Sequence, residues 1–191
     1  MPFRDVPSLM EKLSARSGVS PLAVRFAALT AARTGEALGA TWDQIDLDNA
    51  VWVVPAELMK GGRQHRVPLS SEAIGILEQL RRCSSGTGYV FTGRDGGKLA
   101  NGMLLQTIRM AGVAASEATV HGFRSSFRDW AATRGYQREL AELSLAHSVG
   151  SKVEQSYWRD DLLEQRRPIM EAWAEFCCQP AAEIIPIRVA R

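Results

Sequence analysis

The stretch "HGFRSSFRDW" (residues 121–130) combines two kinds of side chain on one helical pattern. Phe123, Phe127 and Trp130 follow the i, i+4, i+7 spacing of a helix face that packs into a core. His121 and Arg124 stand three residues apart, so on a helix they are neighbours and are expected to project together on a presented polar face. The stretch therefore predicts a helix over about 121–134. An isolated His-x-x-Arg pair is also typical of a plain solvated surface.

Helical patterns dominate the rest of the chain. They cover residues 5–16, 20–32, 72–82, 99–111, 138–146 and 151–176, the last with a break near Asp160. Ser20 is the expected N-cap of the second helix, with Pro21 at its first helical position, and Ser70 or Ser71 caps the third. Two extended segments, "VWVV" (51–54) and "HRVPL" (65–69), flank a "KGGR" turn and predict an antiparallel hairpin with Lys60 near its tip. The fold class is therefore mixed, mainly α with a small antiparallel β-sheet.

Composition limits the class of protein. The 191 residues are 46% hydrophobic and 23% charged, which is typical of one globular domain. The net charge of +2 is too small to indicate a nucleic-acid partner unless basic residues cluster locally. No secretory signal or apolar run of membrane-spanning length is present, so a soluble cytoplasmic protein without a membrane partner is expected.

The cysteines and histidines do not indicate a metal or disulfide framework. Cys83 and the adjacent pair Cys177 and Cys178 lack the parity and spacing of either, which favours a reduced compartment. The three histidines have no short ligand spacing. The stretch "GRDGGKL" (93–99) lacks the spacing and the Ser or Thr of a P-loop. Neither a cofactor nor a metal is expected.

Several segments, taken in order, carry a more specific signal. They are "TAARTGEALGATWDQID", "MKGGRQHRVPLS", "HGFRSSFRDWAATRG", "LAHSVGSKVEQSYWR" and "EQRRPIMEAWAEF". Together they resemble the catalytic domain of the tyrosine recombinases, specifically phage integrases of the P4 type, over roughly residues 6–176. The resemblance implies the fold of the DNA breaking-rejoining enzymes.

The resemblance also implies a set of site residues. Its catalytic positions fall on Arg33, Lys60, His121, Arg124, His147 and Tyr157. Glu36 falls where the family often carries an acidic residue that orients the first arginine, although a purely structural Arg33–Glu36 ion pair is an alternative. Phosphate contacts are expected from the local basic sets, with Arg63, Arg66 and Arg128 as the DNA-binding candidates.

The implied reaction is site-specific DNA recombination, the integration or excision of a phage or genomic island. The Tyr157 hydroxyl attacks a phosphodiester to give a 3'-phosphotyrosine and a free 5'-hydroxyl, and the 5'-hydroxyl of another strand then attacks the phosphotyrosine, without a metal. Bidentate guanidinium groups of Arg33 and Arg124 match the charge of the transition state, with His147 as a third donor. Lys60 is the family's candidate general acid and His121 a second proton-handling group; the division between them stays open.

The resemblance also carries expectations about organisation. Residues 1–178 are read as the catalytic domain, and residues 179–191 as a tail that either docks on a neighbouring protomer or frays. The N-terminal core-binding and arm-binding domains of the family are not found in this sequence. The expected partners are double-stranded attachment sites and, on DNA, three further copies in a homotetramer, with a monomer expected for the isolated fragment. The expected location is the cytoplasm, in association with the nucleoid, for a protein encoded by a bacterium or a phage.

Two other functions remain open from the sequence. A type IB topoisomerase uses a similar residue set to relax supercoils, and a non-catalytic DNA-binding remnant of an integrase would keep the fold alone. The "HGFR" and "EAWAEF" contexts favour the integrase over the first, and the presence of Lys60 and Tyr157 over the second.

Overall fold

A computed structural model describes residues 1–84, 88–93, 95–114, 118–147 and 161–180. Helices and strands are numbered in chain order within these ranges. The helices are α1 (Val6–Ser14), α2 (Val19–Leu29), α3 (Thr34–Gly39), α4 (Ser71–Arg81), α5 (Asn101–Met110), α6 (Gly122–Thr133), α7 (Arg138–Ser144) and α8 (Leu163–Cys178). The strands are β1 (Ile45–Asp46), β2 (Val51–Val54) and β3 (His65–Pro68). The predicted mainly helical class with a small antiparallel sheet is confirmed.

The sheet is a three-stranded antiparallel meander in the order β1-β2-β3. The β2–β3 hairpin is the one that the sequence predicts, with Trp52 opposite Val67 and Val54 opposite His65. Strand β1 was not predicted, because two residues are too short to show an alternating pattern. A 3-10 turn, Ala56–Leu58, leads from β2 toward the exposed hairpin tip and packs against α3.

Helix α2 forms the centre of the core. Eight of its eleven residues are buried, and it packs against α1, α4, α5 and α8. The ring of Phe26 lies 5.4 Å from that of Trp52 on β2 and 5.3 Å from that of Phe91. The helix therefore joins the sheet to the other helices by burying apolar surface, which is the dominant favourable term in folding.

The packed face of α6 builds a second part of the core. Phe127 and Trp130 contact Trp173 of α8 at ring distances of 5.6 and 5.2 Å. Phe176, one turn further along α8, lies 6.0 Å from Trp130. The predicted burial of Phe123, Phe127 and Trp130 is thus confirmed, and it fixes α6 against α8.

Two N-terminal predictions have different outcomes. The prediction that Ser20 caps α2 is wrong: the helix begins at Val19, after Gly18 with φ of 109°, and no side chain caps it. Gly18 allows this early turn because it lacks a Cβ. Pro21 consequently stands third in the helix, still in the first turn where a missing N–H costs little. For α4 the cap is Ser70, whose hydroxyl accepts from the Ala73 N–H.

Helix α8 is tied to the sheet by a buried cation. Arg166 has no exposed surface, and its Nη1 donates to the Arg66 carbonyl of β3 at 2.9 Å while its Nε donates to the Asp161 carbonyl at 2.8 Å. Asp161 in turn pairs with the guanidinium groups of both Arg66 and Arg166. This Arg66–Asp161–Arg166 cluster fixes the start of α8 beside the hairpin. None of the described helices is both long enough and apolar enough to cross a bilayer.

Candidate active site

Arg33 lies at the junction between α2 and α3. Helix α2 ends at Leu29, and Arg33 is the residue that precedes α3. Its Nη1 donates to Glu36 Oε1 at 2.7 Å, and its backbone N–H donates to Glu36 Oε2 at 2.8 Å. Glu36 is buried, with 7% of its side chain exposed, whereas Arg33 keeps 27% exposed. The carboxylate thus orients a guanidinium that remains partly accessible.

Arg124 is buried, which corrects the expectation that it projects with His121 from a presented face. It is 4% exposed, and its Nη1 donates to the Ala31 carbonyl at 2.8 Å. Its Nη2 donates to the Leu145 carbonyl at 2.6 Å and lies 3.0 Å from His147 Nε2. A buried guanidinium needs such partners, because an unpaired buried charge is costly. The hydrogen bonds link α6 to the chain that follows α2 and to the chain that follows α7.

His147 stands just beyond α7, between an arginine and a glutamate. Its Nε2 faces Arg124 Nη2, and its Nδ1 lies 2.5 Å from Glu142 Oε2. A guanidinium nitrogen only donates, so His147 Nε2 accepts from Arg124. The ring proton is then on Nδ1, which donates a hydrogen bond to the Glu142 carboxylate. Glu142 was not among the sequence candidates.

Two alanines at this site have a left-handed backbone conformation. Ala31, whose carbonyl binds Arg124, has φ of 49°, and Ala146, between Leu145 and His147, has φ of 52°. Left-handed backbone costs an L-residue roughly 1–2 kcal/mol. The turn at Ala31 directs its carbonyl at Arg124, and the turn at Ala146 leads the chain directly to His147. The surrounding packing therefore holds a backbone conformation that the local chain does not prefer.

The two arginines influence each other electrostatically. Burial, followed by the positive charge of Arg33, lowers the pKa of Arg124 to about 10, while Glu36 and Glu142 oppose the shift. Arg124 stays charged at neutral pH. The two like charges, held near each other by carboxylates and carbonyls, form a place where an anion such as a phosphate would relieve the repulsion.

The remaining candidates have different positions. Lys60 is exposed at the hairpin tip, and His121 is exposed at the start of α6; neither has a side-chain contact with Arg33 or Arg124 among the interactions of the described residues. Arg63 and Arg128 are exposed, and Arg128 lies 3.9 Å from Asp129. Arg66 pairs with Asp161, which offsets part of the charge expected to meet DNA. Tyr157 lies outside the described residues.

His65 of β3 is a neutral, partly buried neighbour of the site. Burial, followed by the charge of Arg166, lowers its pKa to about 4, although Glu36, the Ser144 carbonyl and Asp161 act in the opposite direction. Its contact with the Ser144 carbonyl joins the hairpin to α7.

The lowered pKa of His65 gives a test by acid titration. Between pH 6.5 and about 4 the unfolded chain binds a proton at this residue that the folded chain does not, so the free energy of unfolding is expected to fall by at most about 3 kcal/mol as the pH drops through this window. Urea unfolding at several pH values measures it. The slope should flatten in His65→Gln and persist in the control His121→Gln. Parallel profiles for wild type and His65→Gln would contradict the assignment.

The comparisons with known proteins show the family of the chain. The family model described as "Phage integrase family" matches residues 1–163. The chain belongs to the phage integrase family. Prophage integrase IntA of Escherichia coli K12 is 39% identical over 150 residues, 77% of this chain and 36% of that protein. The integrase of Enterobacteria phage P4 is 30% identical over 195 residues, 92% of this chain and 44% of that protein.

Solved integrases have the same fold. The integrase from mycobacterium phage Brujita superposes with a TM-score of 0.67 at 19% identity, over 86% of this chain and 55% of that one. A lambda integrase tetramer bound to a Holliday junction gives 0.57 at 16% identity, over 75% of this chain and 45% of that one. The present chain spans only about a third to a half of the length of the curated integrases that it matches.

Within its described ranges, His, Cys, Asp and Glu side chains do not gather into a group of three that could hold a metal ion.

Proposed function

We propose that this chain is the catalytic part of an integrase that cuts and rejoins DNA at specific sites through a 3'-phosphotyrosine on Tyr157. The observation that carries the proposal is the buried Arg124, held by two backbone carbonyls and His147 within the electrostatic influence of Arg33. Two such guanidinium groups suit the non-bridging oxygens of one phosphodiester. Membership of the phage integrase family supports the same reaction.

In this proposal each group has one task. The Tyr157 oxygen forms a bond to phosphorus as the bond to the 5'-oxygen breaks, so the energy of the phosphodiester is kept in the phosphotyrosine. Arg33, Arg124 and His147 stabilise the charge on the non-bridging oxygens. The proton leaves the phenol and another reaches the 5'-oxygen, with Lys60 and His121 as the groups that exchange them.

The position of Tyr157 along the chain is compatible with this role. It lies ten residues after His147 and four before Asp161. Four residues span at most about 14 Å, and Asp161 is anchored to the β3 side chain of Arg66 and to Arg166. In the sequence, the candidate nucleophile therefore stands between His147 of the candidate site and the anchored Asp161.

The proposed partners are double-stranded attachment sites in the cytoplasm of a bacterial host and further copies of the chain on that DNA. The lambda integrase tetramer on a Holliday junction supports the expectation of a tetramer. Residues 1–178 would act as the catalytic unit, and residues 179–191, of which 181–191 lie outside the described ranges, as the contact between protomers.

The test is covalent capture in the absence of metal. The protein is mixed with supercoiled plasmid in EDTA, quenched with SDS and digested with nuclease and trypsin. We expect relaxed plasmid and a nucleotide attached to the tryptic peptide 153–159, in which Tyr157 is the one tyrosine. A nucleotide on a different peptide would contradict the assignment, and DNA binding without any adduct would favour the non-catalytic remnant.

A second assay separates recombination from relaxation. Two labelled duplexes that share an attachment site yield hybrid products if 5'-ends exchange between partners. Relaxation without hybrid products would favour the type IB topoisomerase reading over the integrase.

Arg124→Lys is expected to slow adduct formation by about a hundredfold or more under single-turnover conditions. A lysine carries the charge, but its one ammonium group cannot match the forked donation of a guanidinium to two carbonyls and a phosphate. Arg82→Lys, at an exposed position directly after α4 and outside the candidate site, is the control and should react within about twofold of wild type. Equal rates for the two variants would contradict the role of Arg124.

A further inference from the structure

We infer that Glu142 is a positioning residue for His147, selecting the ring nitrogen that meets the scissile phosphate. This inference rests on the proposed function, since it concerns the same site. It adds a second carboxylate to the site, besides Glu36, with a task of its own.

The contact is made twice by the same residue. Glu142 Oε2 lies 2.5 Å from His147 Nδ1, and the backbone carbonyl of Glu142 accepts the His147 backbone N–H at 2.9 Å. The carboxylate is largely buried, with 17% of the side chain exposed, whereas the imidazole is 39% exposed. One end of His147 is therefore held and the other remains accessible.

Arg124 decides which nitrogen is which. Its Nη2 can only donate, so His147 Nε2 accepts that hydrogen bond and Nδ1–H points at Glu142. If the carboxylate were removed, the proton could move to Nε2 or the ring could turn. A proton on Nε2 would put two donors against each other at Arg124. A turned ring would move Nε2 away from Arg124.

The consequence for catalysis follows from the same geometry. A phosphate bound to Arg124 takes the place of Nε2 as acceptor for the Nη2 hydrogen, and His147 can then donate to that phosphate once Nε2 has taken a proton from solvent. Glu142 then faces an imidazolium and stabilises it by charge. A carboxylate behind a histidine has this effect wherever the ring must present one nitrogen outward.

Helix stability does not explain Glu142. It lies in the last turn of α7, which ends at Ser144. A negative charge near a helix C-terminus is unfavourable, because the exposed carbonyls already carry partial negative charge. The carboxylate is thus in an unfavourable place for α7 and a favourable one for His147.

Kinetics of adduct formation test the inference. Glu142→Ala is expected to slow single-turnover cleavage by about 10- to 100-fold at unchanged DNA affinity. Glu142→Gln should fall between it and wild type, because the amide oxygen still accepts from Nδ1–H without the charge. Glu139→Ala, on an exposed position of the same helix, is the matched control and should react like wild type.

A double-mutant cycle separates positioning from a general structural effect. In the His147→Ala background, Glu142→Ala should cause no further slowing, because its target is gone. The inference is overturned if Glu142→Ala leaves the wild-type rate unchanged, or if it slows the His147→Ala protein by the same factor as wild type.

Nitrogen NMR of histidine-labelled protein without DNA provides a readout independent of activity. In wild type we expect a protonated Nδ1 on His147, and in Glu142→Ala a shift of the proton toward Nε2 or an averaged signal. An identical tautomer in both proteins would refute the inference even if the wild type proved inactive. Loss of all wild-type adduct with the expected tautomer change would instead count against the proposed function alone.

Discussion

A Tyr157→Phe protein is expected to bind DNA like wild type and to form no covalent adduct. The phenyl ring keeps the size of the side chain but has no oxygen to attack phosphorus, and removing a covalent nucleophile typically slows a reaction by about 10⁴-fold or more. Gel analysis of SDS-quenched mixtures and a DNA-binding titration measure the two properties separately. No other change proposed for the site removes an atom that forms a bond in the reaction.

The other two tyrosines supply the controls. Tyr136 stacks on Trp130 with ring centroids 5.3 Å apart, and Tyr89 is paired with Thr41 in an isolated bridge. Tyr136→Phe and Tyr89→Phe should both keep adduct formation near the wild-type rate. An adduct that survives Tyr157→Phe and disappears in one of these two variants would move the nucleophile to that position.

Arg166→Leu is expected to destabilise the fold by about 3–5 kcal/mol, a loss of roughly 10 °C in melting temperature for a chain of this size. Arg166 has no exposed surface, donates to the Asp161 and Arg66 carbonyls, and lies 3.0 Å from the Asp161 carboxylate. Leucine fills part of the space but leaves both carbonyls without their buried donor, and such groups cannot turn to water. Thermal unfolding followed by circular dichroism measures the loss.

The neighbouring Arg167 is a control matched in hydrogen bonds but not in burial. It also donates to two carbonyls, those of Asn49 and Ala50, and pairs with Glu164, but 30% of its side chain is exposed. Arg167→Leu should cost only about 1 kcal/mol, because water can replace the lost partners. Equal losses for the two variants would show that burial is not what makes Arg166 important.

The local pattern predicted most of the secondary structure. The spacing of Phe123, Phe127 and Trp130 requires one buried face whatever the partner, and the structure supplies α8 as that partner. The hairpin was equally local, since β-branched segments flank a Gly-Gly turn. Ser20 was misassigned because a serine before proline is a common helix start, while the positive φ of Gly18 is not visible in a residue pattern.

The site was predictable only where its residues are neighbours in the chain or where family resemblance supplies them. The Arg33–Glu36 pair follows from a spacing of three and is confirmed as a contact. Burial of Arg124 was missed because helical spacing shows which face a residue is on and not what covers that face; Ala31 and Leu145 come from other parts of the chain. Catalytic roles, including that of Tyr157, remain predictions.

Glu142 and Asp161 were missed for a related reason. Glu142 stands five residues before His147, a spacing that brings no two side chains together on a helix, and it contacts His147 because the chain turns at Ala146 after α7 has ended. Asp161 meets Arg66 across 95 residues of sequence. An acidic residue in a helical segment usually indicates a solvated face, so composition offered no signal for either one.

The partners that hold Arg124 on α6 are main-chain oxygens, and this affects how random mutation can reach the site. A substitution at position 31 or 145 changes a side chain but leaves the carbonyl in place, so neither hydrogen bond is deleted by exchanging the residue that accepts it. The position of the Arg124 guanidinium therefore depends on all the residues that set the path of the backbone. Variation can displace this guanidinium only by moving a whole turn of chain.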